Sequence, residues 1–347
     1  MQNSRNTYNT YELMTSPSVL LVEDSDTVSL TKVLHHPGAP ALVSSSQNNT
    51  FGRCLLGISV ASLWAAYGIL DFTERLDRRS AVLLDKNYVP QLPLEIVLSM
   101  YQEPIDEVGK LINNLKSIPT LSDAHITIYI KDSEANNTHV KQKTGANRVI
   151  TLPNVGREGE TFLNHILCKW DSLAGQTIFL QAGIHNPREF YIHIKNYYNG
   201  STGFLNLSWP GGVCNCENCG DRFSWRDTLH FLPQLHNQMY NSTRCDSILL
   251  SYRGQFIVFA VRICGINKDI YSGLSQAFFD KESWTHQPSH LHGRPDLMSA
   301  PDFGYRVERL WNVLFQCSGV DVAWKCPSLM SGWRIGGDIS DCQCFDT

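Results

Sequence analysis

From Glu95 to Gln181 the chain repeats one pattern: a short apolar run rich in β-branched residues, then a stretch whose apolar residues recur at helical spacing. EIVLSMY (Glu95–Tyr101), AHITIYI (Ala124–Ile130), RVITL (Arg148–Leu152) and TIFLQ (Thr177–Gln181) read as strands. Ile105, Val108, Leu111, Ile112 and Leu115 mark one helical face, and Phe162, Leu163, Ile166, Leu167 and Trp170 mark another. Buried strands separated by amphipathic helices predict an α/β fold, a mainly parallel open sheet with helices on both faces. Gln255–Val261 reads as a late strand and Phe303–Phe315 as a late helix, so the domain is expected over 92–316, with 317–347 as a cysteine-containing C-terminal extension.

The part before the domain has a different composition. Residues 1–53 are rich in Ser, Thr, Asn and Gln and are expected to form a disordered tail. Residues 54–70 (CLLGISVASLWAAYGIL) carry no charge. As a helix they would be about 26 Å long, close to a hydrocarbon core of roughly 30 Å. With Trp64 and Tyr67 toward one end, the run is expected to cross a membrane once, a buried helix being the other reading. Residues 71–91 interleave Asp71, Glu74 and Asp77 with Arg75, Arg78 and Arg79 and read as a solvated stem.

Two signals disagree on orientation. Arg75, Arg78, Arg79 and Lys86 after the run, against Arg53 before it, favour a cytosolic domain. The cysteines, all but Cys54 after residue 160, and the sequons at Asn136, Asn199, Asn206 and Asn241 favour a glycosylated lumenal domain in the endoplasmic reticulum or Golgi; the lumenal reading is preferred here. The formal net charge of −4, with no basic cluster, gives no support to nucleic-acid binding.

Cys214, Cys216 and Cys219 form C-x-C-x-x-C, and Cys245 follows. Such thiols either pair as disulfides, the preferred reading in an oxidising lumen, or bind zinc. Cys317, Cys326, Cys342 and Cys344 close the chain similarly. His286, His290 and His292 read as a mobile polar loop, metal binding being the alternative.

Two segments suggest a ligand site. NVGREGET follows a strand and opens a helix, so backbone amides at Asn154 and Gly156 and the Arg157 guanidinium suit a phosphate. Glu158 or Glu160 would hold a sugar hydroxyl. The other reading is a tight glycine turn with Glu160 favouring the helix dipole. TIFLQ leads into Ala182-Gly183-Ile184-His185-Asn186 at the strand edge where open α/β sheets bind ligands. Gln181 and Asn186 are candidate binders there, and His185 a candidate base.

LPNVGREGETFLNHIL (Leu152–Leu167), TIFLQ, GQFIV (Gly254–Val258) and GYRVERLW (Gly304–Trp311) resemble a fungal-rich family of uncharacterised proteins, domain of unknown function 3431, over about residues 94–316. That family in turn is similar to GT-A-fold, Rossmann-related nucleotide-sugar transferases, here through IVLSMYQEP, the helix from Ile105 and ITIYIKDS. The resemblance implies a nucleotide-sugar donor, an unknown acceptor and a helix-borne carboxylate, Glu308, that deprotonates the acceptor. A structural ion pair of Glu308 with Arg306 or Arg309 is the other reading. Many such transferases hold a metal with Asp-x-Asp, which here occurs only at Asp24–Asp26 in the tail. The expectation is therefore a single-pass glycosyltransferase-like protein without that metal site. The alternative is a non-catalytic or differently catalytic membrane protein of a fungal pathway that retains the fold.

Overall fold

A computed structural model describes residues 62, 63, 66, 82–208, 212–242, 245–326 and 338–346. Those from 82 onward belong to one compact unit, 78–347. Its strands are β1 (Leu94–Met100), β2 (His125–Ile130), β3 (Arg148–Thr151), β4 (Gln176–Gln181), β5 (Thr202–Asn206), β6 (Gly212–Asn215), β7 (Ser247–Leu250), β8 (Phe256–Phe259) and β9 (Gln343–Phe345). The longer helices are α1 (Ile105–Lys116), α2 (Asn137–Thr144), α3 (Arg157–Cys168), α4 (Pro187–Asn196), α5 (Phe231–Tyr240), α6 (Lys268–Phe279) and α7 (Asp302–Leu314).

Among the described residues seven strands form one sheet in the order β3-β2-β1-β4-β8-β5-β9, and β6 and β7 pair separately. β1, β2, β3 and β4 are parallel. β8 runs against both β4 and β5, and β9 against β5. β5 therefore points the same way as β1–β4, and the sheet is mainly parallel. Two strands reverse direction, β9 at the edge and the predicted late strand β8, which enters the sheet from a turn at the carboxyl end of β4.

All seven residues of β1 are buried, as a strand covered on both faces requires. The pleat sends alternate residues to opposite layers. Val97, Phe179, Phe204, Phe256 and Val258 pack with Phe162, Leu163 and Ile166 of α3 and with Val307, Leu310 and Trp311 of α7. Ile96, Leu98, Ile178, Leu180, Leu205 and Ile257 pack with Val108, Leu111 and Ile112 of α1 and with Phe190 and Ile194 of α4.

The domain is wider than 92–316 at both ends. Leu83, in the expected stem, donates its N–H to Gln316 Oε1 (2.7 Å) and accepts from Gln316 Nε2 (2.9 Å), and Asp85 N donates to Val261 O (2.8 Å). At the other end the expected extension supplies the edge strand β9. Its Asp346 pairs with Arg262, which is 1% exposed and also donates to Phe315 O and Gln316 O. Burying that guanidinium needs such partners.

The eight cysteines weighed as zinc ligands or disulfides pair as disulfides: Cys214–Cys219, Cys216–Cys245, Cys317–Cys344 and Cys326–Cys342, while Cys168 and Cys264 are free. A sulfur already bonded to sulfur offers no thiolate to a metal. Two further expectations need correction. Asn206 lies inside β5, 7% exposed, and donates to Asn312 Oδ1 (3.3 Å), so a glycan there would displace the strand. His286 and His290 are buried beside Asp296 (2.8 Å) and Asp302 (3.3 Å), so these two side chains are packed and do not form the expected mobile loop.

Of the expected membrane run 54–70, only Ser62, Leu63 and Ala66 are described, so that expectation lies outside the described residues, as does the tail. Among the described residues no helix is long and apolar enough to cross a membrane.

Candidate functional site

The chain leaves β1 outward to β2 and β3, then returns to β4 on the other side of β1. In open α/β sheets that switch opens a crevice at the carboxyl ends of the two central strands. Four segments meet there: the turn before α3, the loop after β4, the turn before β8 and one face of α7.

The turn before α3 passes through left-handed backbone at Gly156 (φ 68°) and Arg157 (φ 53°). Glycine is required at 156, since a Cβ would lie 2.6 Å from Glu160 Cβ and 2.7 Å from Phe278 Cδ1. The Arg157 guanidinium sits over the Tyr305 ring, 4.8 Å from its centroid, with Nε 3.5 Å from Glu158 Oε2. The turn before β8 is also left-handed, at Arg253 (φ 69°) and Gly254 (φ 52°). The two turns touch, because a Cβ on Gly254 would lie 3.2 Å from Glu158 Cγ.

Hydrogen bonds join the rest. Arg253 N donates to Glu308 Oε1 (2.5 Å), and Gln181 Nε2 donates to Arg253 O (3.2 Å). His185 Nε2 lies 3.0 Å from Gln181 Oε1. Gln255 fixes the loop after β4 by accepting from His185 N (2.7 Å) and donating to His185 O (3.1 Å). Among the described residues eight non-glycine positions have positive φ, and Arg157, Asn186 (φ 48°) and Arg253 lie in the loops of this crevice. Such conformations cost about 1–3 kcal/mol each and persist where surroundings over-determine them, commonly at functional sites.

Burial pulls the Arg157 guanidinium toward deprotonation, but Glu158, Tyr305 and Glu308 outweigh it and its pKa is raised. Burial also raises the pKa of Glu308, against the N–H bond from Arg253. The His185 pKa is lowered by burial and then by Arg253, which favours neutral imidazole. A glutamate that gains basicity and a histidine kept neutral are both suited to accept a proton near neutral pH.

Of the residues singled out in the sequence, Arg157, Glu158, Gln181, His185 and Glu308 come together. Asn154 is half-buried in the same turn. Gly156 shapes the turn but does not offer its amide, which donates to Met298 O (2.8 Å). Asn186 turns its side-chain amide to Glu189 Oε2 (3.2 Å). Glu160 is not available to a sugar hydroxyl: it is 1% exposed and paired with Lys131 at 2.8 Å. The expected ion pair of Glu308 does not form, because Arg306 pairs with Asp227 (3.2 Å) and Arg309 with Asp221 (2.7 Å).

Sequence reasoning missed Arg253, Gln255, Tyr305 and Lys131 as members of the site. Arg253-Gly254 between two apolar runs was a usable turn signal, and Tyr305 lies one helical turn before Glu308. Nothing local marks Lys131, whose partners are 24 to 29 residues away.

No family model matches the chain, and no curated protein matches it. The likeness to domain of unknown function 3431 thus rests on its four motifs. Among solved structures, mannosyl-3-phosphoglycerate synthase from Rubrobacter xylanophilus is similar at 15% identity and a TM-score of 0.29, over 50% of this chain and 55% of that one. The chain thus spans about half the length of that neighbour.

Proposed function

We propose that the crevice binds the diphosphate of a nucleotide sugar and that the chain is glycosyltransferase-like. The observation that carries this reading is the convergence of Arg157, Arg253, Glu158, Glu308 and His185 on one switch-point crevice, with both arginines set in left-handed turns. The two arginines meet charge on the leaving diphosphate, a role suited to preorganised cations. Glu308 has one oxygen on Arg253 N; the other takes the proton of an acceptor hydroxyl as the acceptor's own oxygen bonds the sugar carbon, the carbon's bond to the diphosphate oxygen breaks and the nucleoside diphosphate leaves. Gln181 and Glu158 orient sugar hydroxyls, and His185 is the second candidate base.

Membrane anchoring through 54–70 and a lumenal location in the endoplasmic reticulum or Golgi belong to the same proposal. Four disulfides support an oxidising compartment. Asn136 and Asn241 are exposed, as a glycan acceptor must be. The alternative, a protein that binds without turnover, draws support from the internal engagement of Glu160, Asn186 and the Gly156 amide. Calorimetry of the full chain with a panel of nucleotide sugars, with and without manganese, tests the binding. Product analysis with Glu308→Gln as control separates transfer from binding alone.

A further inference from the structure

Lys131 directly follows β2 and is 4% exposed. A buried ammonium is tolerated only when its donors are met. Here they go to Val155 O, Arg157 O (2.6 Å) and Glu160 Oε2 (2.8 Å). Two of these acceptors are backbone carbonyls of the turn that carries Arg157. The same turn is held from the other side by Gly156 N on Met298 O and by Phe278, which occupies the space a Cβ at Gly156 would need. An arginine in left-handed backbone relaxes unless its neighbours prevent it. For packing alone, an apolar pair of similar volume would serve as well as a buried ion pair; what the ammonium adds is a fixed position for two carbonyls.

We propose that Lys131 is a positioning residue: through Val155 O and Arg157 O it holds Arg157 in the left-handed conformation that aims the guanidinium over Tyr305 into the crevice, and so sets the affinity for an anionic ligand. The affinity part of this inference rests on the crevice being the anion site. Lys131 contacts no ligand itself, so it acts only through Arg157.

Two measurements on the full chain test it. Lys131→Met/Glu160→Gln removes both charges, so that neither is stranded in the interior. With inorganic pyrophosphate as probe, this pair is expected to weaken binding about tenfold, Arg157→Ala at least as much, and the combination no further than Arg157→Ala alone. Losses that multiply would overturn the proposal, since a merely structural Lys131 predicts independence. The second measurement needs no ligand. Arg157→Gly is expected to raise the melting temperature of the native chain, because glycine enters left-handed backbone freely, and to lose that gain in the Lys131→Met/Glu160→Gln background, where the turn relaxes. Equal shifts in both backgrounds would overturn it. Absence of pyrophosphate binding to the unaltered chain would count against the crevice reading, and the melting cycle would still decide the role of Lys131.

Discussion

Helix α7 carries Arg306, Glu308 and Arg309 within a single turn, yet its two faces differ in kind. Arg306 and Arg309 are 2% and 6% exposed, and each is matched to one aspartate of the disulfide-bonded segment, Asp227 and Asp221. Trp225 lies beside both guanidinium groups, at 5.9 and 5.0 Å. Among the described residues Glu308 forms no ion pair; it is half-buried, takes a backbone N–H, and feels Glu158, Arg309 and Arg157 around it. Charges that are buried and matched one to one belong to the fold. A half-buried carboxylate among several charges, beside strained turns, is what a ligand site requires.

Removing a matched charge should give the largest effect on stability. Arg306→Met strands Asp227 in the interior and is expected to cost about 3–5 kcal/mol, read by urea unfolding with the disulfides intact. A loss below about 1 kcal/mol would mean that this face is not structural. On the other face, Glu308→Gln keeps an acceptor for Arg253 N and should leave unfolding nearly unchanged. Its effect should fall on turnover, a loss of roughly 100- to 10,000-fold in transfer from a bound nucleotide sugar. Full transfer by Glu308→Gln would leave His185 as the base.

Acid should sharpen the contrast from the fold side. His165 is fully buried on α3, its Nδ1 3.2 Å from Tyr129 OH, and burial lowers its pKa from 6.5 to about 4. The unfolded chain therefore binds a proton that the folded chain refuses. Stability from this histidine is complete above about pH 6.5 and is lost as the pH falls toward about 4, by up to about 3 kcal/mol. Unfolding at a series of pH values shows this, and His165→Gln should flatten the curve by a comparable amount. An unchanged slope in that variant would assign the acid sensitivity elsewhere.

The difference between the two halves of the sheet shows how much was legible in the sequence. β1 to β4 and helix α1 have local signals, β-branched runs and a 3.6-residue period, and each sits within a residue of the stretch that announced it; α3 begins at Arg157, ahead of the periodic run from Phe162, and α2, with only Val140 and Thr144 buried, has no such period and was not announced. β5 and β9 were not legible. Thr202–Asn206 holds a glycine, because Asp346 packs 2.5 Å from where its Cβ would be, and β9 is three residues whose pairing depends on distant disulfides. The same divide holds for the site. Arg157 and His185 announce themselves by following strands. Arg253 joins them only because β8 lies antiparallel to β4, and the matched partners of α7 are 79 and 88 residues away.

In the proposed function Arg157 faces a ligand rather than the fold. Its side chain is 32% exposed and its partners, Glu158 and Tyr305, lie at the crevice. Arg157→Ala should then remove a charge-assisted contact of about 1.5–3 kcal/mol, roughly a ten- to hundred-fold loss of affinity for a nucleoside diphosphate, with the melting temperature hardly moved. Measuring both quantities on that one variant decides the matter. Unchanged nucleotide affinity together with a clearly lowered melting temperature would place Arg157 with Arg306 and Arg309 as a structural charge and rule out its role in binding the diphosphate.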